Sequence, residues 1–558
     1  MFDLLIRNAR IADGSGGPEF AGDVAVAGGR IVAIGRLAEP AKTQIDAGGM
    51  LLMPGIVDVH THYDAQLTWD RTASPSPSLG VTTVVTGNCG FGIAPAPPAA
   101  RRTIARNLSE VEGLALAALE TGIDWRFESF GEYLDLLRRK GSYPNVAVLV
   151  GHSTVRSVVM GDAASERAAT DDEISRMYAL VDDALNAGAI GFASSHSQNH
   201  NGFGGVPMPS RLATEREIAT LAGALASRAG VFQMTAGPQT TVAFLESIAA
   251  QTGRPAIFSS VFQNDAFPER AISMLEECRA AGGRGHRVYG QTSCQPLSMD
   301  FTLANAYPLS SLEIWENLRA ADPTTVAGAL ADPEFRDRFR AQLAAPAKGK
   351  LFYGDWRRVE FAQTMRPEHA QLDGRTVGDV AAETGTDPVD LFFDVSLAEN
   401  LQTVFTAKLL NADDDKVEPL LRHDNGIISL SDAGAHLAFM CDAGFGLHLL
   451  GHWVRDRQSL TLPDAVRRLT ALPAERYGIP DRGKIEIGMA ADLLLLDPAR
   501  VGVSAKRRVH DLPGGETRVI RDPFGVQGVW VNGILVYDGD NYVEHENAPG
   551  QILDRFLR

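Results

Sequence analysis

His60 and His62 stand two positions apart at the end of an apolar run, Gly55–His60. On a strand, residues two apart project to the same face, so both imidazoles can converge on one point and form half of a metal site. Cys89 follows the next apolar run, in Thr86-Gly87-Asn88-Cys89-Gly90. As a thiolate it is a strong zinc or iron ligand, and the flanking glycines let the backbone approach closely. Asp432 closes a much later run, in Ser431-Asp432-Ala433-Gly434. A carboxylate there must be paired or metal-bound, because burying it bare is costly. Each residue alone has a plainer reading: a hydrogen-bonded histidine, an inert buried thiol, a helix-capping aspartate. Taken together they are a ligand set with a carboxylate able to accept a proton from activated water.

Such residues need elements to bring them together. Eight apolar runs alternate with amphipathic stretches: Gly55–His60, Val81–Gly87, Asn145–Gly151, Ala189–Ser194, Gly230–Thr235, Pro255–Ser260, Arg287–Thr292 and Ile427–Asp432. Continuous apolar runs are the mark of parallel strands covered by helices. Asp172–Ala187, Glu215–Ala229 and Phe445–Trp453 read as helices. Eight such units predict an α/β fold, a (β/α)8 TIM barrel, whose chemistry sits at the C-terminal ends of its strands. The last two strands are about 130 residues apart, too far for a plain loop, which predicts an insertion around 295–385.

Short apolar runs with Gly- and Asp-rich turns fill the first fifty residues and return near the C-terminus. Neither block can bury a core alone. The expectation is one small β-sandwich domain from residues 1–53 and 485–540, a barrel over 54–484, and a tail over 541–558.

The chain has 558 residues, 45% of them apolar and 22% charged, as in a globular protein with a large core. Its 52 Lys and Arg against 69 Asp and Glu leave a net charge of −17, which a phosphate backbone would repel. Nucleic acid is therefore excluded as a partner. No apolar run reaches the ~18 residues of a membrane span. Four cysteines without a C-x-x-C pair make no disulfide framework. Asp3 stands where a secretory signal would carry basic and apolar residues only, so the expected address is cytoplasmic.

The segment Pro54-Gly55-Ile56-Val57-Asp58-Val59-His60-Thr61-His62-Tyr63-Asp64 resembles the first-strand motif of the amidohydrolase superfamily. With Gly87-Asn88-Cys89-Gly90-Phe91-Gly92-Ile93-Ala94-Pro95, Val150-Gly151-His152, Gly188–Phe192, Ser431-Asp432 and the closing Gly483–Asp492, the chain resembles the D-aminoacylase (N-acyl-D-amino-acid deacylase) family over nearly its whole length. The resemblance implies a barrel with a β-sandwich flank and amide hydrolysis by metal-activated water. It makes His60, His62, Cys89 and Asp432 metal ligands and Asp432 the general acid/base. The metal would be divalent, zinc, as one or two ions. Homo-oligomers are frequent among such proteins.

Departures from that pattern point to the substrate. The family places one zinc-binding histidine after each of the fifth and sixth strands, where this chain has Gln233 and Ser260, neither a good zinc ligand. A lysine and a tyrosine that hold a substrate carboxylate in the family are replaced near Phe262 and Thr292–Cys294, which removes the means of binding an anionic amino acid. His152, His196 and His200 lie near the strand ends. They can act as replacement ligands or substrate-binding groups, or simply hydrogen-bond within their loops.

The function expected is hydrolysis of a non-peptide C–N bond in a neutral or apolar small-molecule amide. The alternatives are an N-acyl-D-amino-acid deacylase proper, another amidohydrolase reaction such as cyclic-imide hydrolysis, urea hydrolysis or deamination, and a non-catalytic binding protein on the same fold.

Overall fold

The computed structural model describes residues 1–237, 240–319, 321–345 and 352–558. Two compact units emerge, Met1–Val261 with Ala271–Cys294 and Glu418–Arg558, and Phe262–Arg270 with Gln295–Val417.

In the first unit the eight apolar runs become eight parallel strands paired in chain order, Ile56–Asp58, Val81–Thr86, Asn145–Gly151, Gly191–Ser195, Val231–Thr235, Ala256–Ser259, Val288–Thr292 and Gly426–Ile428. Beyond the first and eighth strands the chain is joined by a parallel bridge between Thr61 and Ala433, with His62 N donating to Ala433 O at 2.7 Å. That bridge brings the two edges of the sheet together as a (β/α)8 barrel, so residues from the first and last strands meet. Inward-facing Val57, Val85, Leu149, Val231, Ile257 and Ile427 fill the interior. The same cluster takes in Ala474, Tyr477 and Ile479, and Leu553 and Phe556 of the C-terminal tail pack against it.

The helices form where their ends are encoded. Asp171–Ala187 begins in a capping box made by Thr170 and Glu173, carries three acids in its first turn and stops at left-handed Gly188. The stretch expected to be helical over Glu215–Ala229 is shorter: the helix ends at Ala222, and a tighter turn follows from Gly223, glycine being a poor helix former. Phe445–His448 continues as a wider-wound helix over Leu449–Asp456.

The terminal segments build one mixed eight-stranded sheet. Its ordered path runs Ile534–Tyr537, Val526–Val531, Leu493–Leu496, Leu51–Pro54, Phe2–Ile11, Phe20–Ala27 and Arg30–Gly35, with Ala41–Asp46 also paired to Phe2–Ile11. Leu493 pairs with Pro54 and Trp530, which interlocks the two ends of the chain.

The second unit has its own core, rich in phenylalanine, with Phe301, Phe339, Phe392, Phe393 and Phe405 at its centre. The insertion expected around 295–385 extends to Val417 and also takes Phe262–Arg270. It cannot end earlier, because Val404–Leu410 is the middle strand of its antiparallel sheet, between Leu297–Phe301 and Val359–Gln363.

In the barrel unit Arg156 and Glu217 form a wholly buried ion pair, with Arg156 Nη1 donating to both carboxylate oxygens at 2.5 and 2.7 Å. Arg156 also donates to the carbonyls of Ala164 and Arg167. Removing one partner of such a pair strands the other charge in a low-dielectric interior. Glu217→Ala is therefore expected to lower unfolding free energy by about 3–5 kcal/mol, read from urea denaturation; a loss below about 1 kcal/mol would show the pair to be dispensable.

Candidate metal centre

The first strand delivers His60 and His62 to the mouth of the barrel, their ring centroids 5.4 Å apart. Both are buried. Cys89 lies on the turn after the second strand with φ +58°. A Cβ at Gly87 would sit 2.2 Å from Leu149 O, so only glycine lets this turn press against the third strand. Asp432 also has positive φ, +46°, and a Cβ at neighbouring Gly434 would meet the His62 backbone at 2.6 Å.

These turns bring four side chains to one place. His60 Nε2 lies 3.5 Å from Cys89 Sγ and 3.1 Å from Asp432 Oδ1, and His62 Nε2 lies 3.7 Å from the same oxygen. The donor atoms of His60, His62 and Cys89 all fall within 4.8 Å of one another. Asp432 keeps 21% of its side chain exposed, while His60 and His62 keep 1% and 5%. The carboxylate therefore stands between these buried side chains and the open mouth.

The far side of each imidazole is also held. His60 Nδ1–H donates to Gln291 Oε1 at 2.8 Å, and Gln291 Nε2 donates onward to Tyr477 Oη at 2.8 Å and Val59 O at 3.3 Å. His62 Nδ1 lies 3.0 Å from the buried carboxylate of Glu112. Partners on Nδ1 leave Nε2 of both rings as the ligand atom, the arrangement usual around metal-binding histidines. Asp58 ties the first and eighth strands together, accepting from His60 N at 3.2 Å and Ser431 Oγ at 2.5 Å. Asp64 ties the first strand to the Cys89 turn, accepting from Thr86 Oγ1 at 2.5 Å and Gly87 N at 3.1 Å.

Electrostatics favour a cation here. Burial would raise the Cys89 thiol, but His60 and His62 outweigh it and hold the pKa below its ordinary value. Burial would likewise raise Asp432 and Glu112, yet His60 and His62 hold Asp432 down, and His62 with His436 holds Glu112 down. Burial would lower His60, but Cys89 and Asp432 push it up to about 10. The site is thus a dense set of anionic donors whose charge is balanced by protons on two imidazoles. A divalent ion can take over that balancing, and thiolate, imidazole and carboxylate are the ligands zinc uses.

The remaining candidates separate clearly. Gln233 Oε1 accepts from Cys89 N at 3.0 Å, which makes it a clamp on the cysteine turn. Ser260 is half-buried at the end of the sixth strand; its neighbour Ser259 is the hydroxyl that reaches His60 Nδ1, at 3.4 Å. His152 is engaged elsewhere, accepting from Ser194 Oγ and donating to Glu217, each at 2.9 Å. His196 donates Nε2–H to Ala213 O at 3.2 Å. His200 accepts from Ser195 Oγ at 2.7 Å and packs on Phe91. Burial pushes His200 down to about 4, with His436 and His62 adding to the shift and Glu112 and Asp432 opposing it, which places a neutral imidazole in the field of the cluster. Glu112, Gln291 and Tyr477 escape sequence reasoning. Gln291 carries a faint signal, an amide inside an apolar strand; Glu112 carries none.

Residues 43–537 match the family described as the amidohydrolase family. The chain belongs to it. Two relatives from Alcaligenes xylosoxydans xylosoxydans, a D-aminoacylase and an N-acyl-D-aspartate deacylase, are each 30% identical over 99% of this chain, covering 98% and 95% of their own lengths. A crystal structure of D-aminoacylase, described as defining a subset of amidohydrolases, superposes with a TM-score of 0.66 at 27% identity over the full length of both chains. The N-acyl-D-glutamate deacylase of Bordetella bronchiseptica, solved with zinc and a phosphonate mimic of the tetrahedral intermediate, gives 0.65 at 26% identity over 99% of this chain and 100% of its own. This amidohydrolase is thus a hydrolase of carbon–nitrogen bonds other than peptide bonds, related to D-aminoacylases. No described helix is long and apolar enough to cross a membrane.

Because Gln291 acts on His60 from behind, Gln291→Leu is expected to weaken zinc affinity about 10- to 100-fold without unfolding the barrel, measured by competition with a chelating indicator. Unchanged affinity would remove Gln291 from the account.

Proposed function

We propose that this amidohydrolase cleaves the N-acyl amide bond of a neutral or apolar small molecule, using one divalent ion, zinc, held by His60, His62 and Cys89 with Asp432 beside them. The observation that carries the reading is the convergence of three ligand atoms within 4.8 Å beside the half-open carboxylate of Asp432. Support for a single ion comes from Gln233, which is spent on the Cys89 backbone. Among the described residues no second group of three His, Cys, Asp or Glu donors lies together.

When bound, such an ion polarises the scissile carbonyl and acidifies water. The protein supplies the rest. Gln291 and Glu112 hold the two imidazoles in register. Asp432, held ionised, takes the proton of the attacking water and returns it to the departing nitrogen. His200, an imidazole held neutral and within the field of the cluster, is the candidate to hydrogen-bond the substrate carbonyl or its leaving group.

The neutral-substrate reading is supported by the charges around the centre. Those acting most strongly on His60, His62, Cys89 and Asp432 are one another's, together with Glu112; no lysine or arginine is among them. Where the family resemblance places an anchor for a substrate carboxylate, Thr292–Cys294 are buried, and Cys294 Sγ donates to Phe445 O at 3.2 Å. A second reading, deacylation of N-acyl-D-amino acids, is favoured by the names of the relatives at 30% identity.

One panel separates the two readings. N-acylated alkylamines and anilides are expected to show higher kcat/KM than N-acyl-D-leucine or N-acyl-D-glutamate, scored by released amine. The reverse order would establish the second reading. On whichever substrate turns over, Asp432→Asn is expected to lower kcat about 10²- to 10⁴-fold, and full activity in that variant would refute the proton-transfer role.

A further inference from the structure

A cavity of about 250 Å³ opens on the barrel unit, lined by Arg106, Asp162, Glu166, Phe203, Val206 and Pro209 among others. None of the four residues of the metal centre lines it. It is smaller than the ~300–1,000 Å³ typical of sites for drug-sized ligands, a volume that suits a molecule of about amino-acid size.

Three elements supply its walls. Arg106 lies on the helix Pro98–Val111, with its guanidinium 4.6 Å from the ring centroid of Phe203. Its Nε is buried without a hydrogen-bond partner, and among the described residues Arg106 makes no ion pair. Asp162 and Glu166 belong to the turn around Gly161–Ser165, which buried Arg156 pins from inside through the carbonyls of Ala164 and Arg167. Neither carboxylate forms an ion pair with Arg106; Glu166 feels the charge of Arg167 next to it, which is itself paired with Glu173. Phe203 and Val206, 46% and 43% exposed, come from the loop after the fourth strand, and Asn107 Oδ1 holds that loop by accepting from Phe203 N at 3.2 Å.

One cation and two anions that line the same small cavity without neutralising each other leave room for a molecule carrying both complementary charges. An arginine fork suits a carboxylate, and two carboxylates suit an ammonium. The exposed aromatic and aliphatic groups beside them suit an apolar side chain. We propose that this cavity is a binding site, separate from the metal centre, for a free α-amino acid with an apolar side chain. Its carboxylate meets Arg106, its ammonium meets Asp162 and Glu166, and its side chain lies on Phe203, Val206 and Pro209. The walls are held in place before the ligand arrives, by Arg156 on one side and Asn107 on the other, so little ordering cost opposes binding. The site does not depend on the substrate assigned to the metal centre.

Isothermal titration of the full chain with D- and L-leucine, isovalerate and isopentylamine tests it. At least one leucine enantiomer is expected to bind one to one, and equally to His60→Ala, whose metal centre is disabled. Arg106→Gln, and separately the exposed pair Asp162→Asn with Glu166→Gln, are each expected to weaken binding at least about tenfold. Isovalerate and isopentylamine, each lacking one charge, are expected to bind about tenfold or more weakly than leucine. The acid pair lies on the surface and keeps the test open should Arg106→Gln fail to fold. The proposal is overturned if neither leucine binds at millimolar concentration, if binding is lost in His60→Ala but kept in the acid pair, or if isovalerate binds as tightly as leucine.

Discussion

Two imidazoles, a thiol and the carboxylate of Glu112 are buried together at one end of a barrel beside the partly exposed carboxylate of Asp432, and each buried group would be costly there alone. The structure around them exists to make that burial tolerable. Every member has a counter-charge within the cluster, and each imidazole has a further partner on its outer nitrogen. Removing one member leaves the others uncompensated, which is why the group behaves as a unit. The same compensation leaves the anionic donors ready for a cation.

Barrel closure is the device that assembles the unit. His60 and His62 leave the first strand and Asp432 leaves the eighth, so these side chains meet only because Thr61 and Ala433 bridge the two edges. Asp58 reinforces the seam by joining His60 N to Ser431 Oγ. Cys89 arrives from the second strand, on a turn that Gly87 allows to lie against Leu149 and that Gln233 fastens from the fifth strand. Each strand end thus carries one small, specific task, and the helices outside serve mainly to cover the strands that perform it.

The barrel and the candidate residues that meet at its mouth were legible because both follow from short-range patterns. A two-residue spacing puts His60 and His62 on one face, and eight apolar runs with helical spacers leave few architectures. What could not be read depends on packing between distant segments. Glu112 sits in Ser109-Glu110-Val111-Glu112-Gly113, which looks like any solvated helix end; only the fold buries it against His62. Gln233 stands where the family resemblance places a zinc-binding histidine, and its bond to the Cys89 backbone is invisible in one dimension. Among the loop histidines, composition cannot tell His152, committed to Glu217, from His200, which feels the charges of the cluster. The reach of the second unit to Val417 is hidden for a similar reason, since Val404–Leu410 looks like one more apolar run until it pairs on both sides.

Among the described residues, one compact group of His, Cys, Asp or Glu donors lies together. The central claim is that the group holds a single divalent ion. Elemental analysis of the purified full chain, after refilling with zinc and removal of the excess, tests it most directly, with Cys89→Ala and His60→Ala beside the wild type. The account predicts close to one equivalent in the wild type and little in either variant. A wild type that holds no metal, or variants that hold as much as it does, would contradict the account.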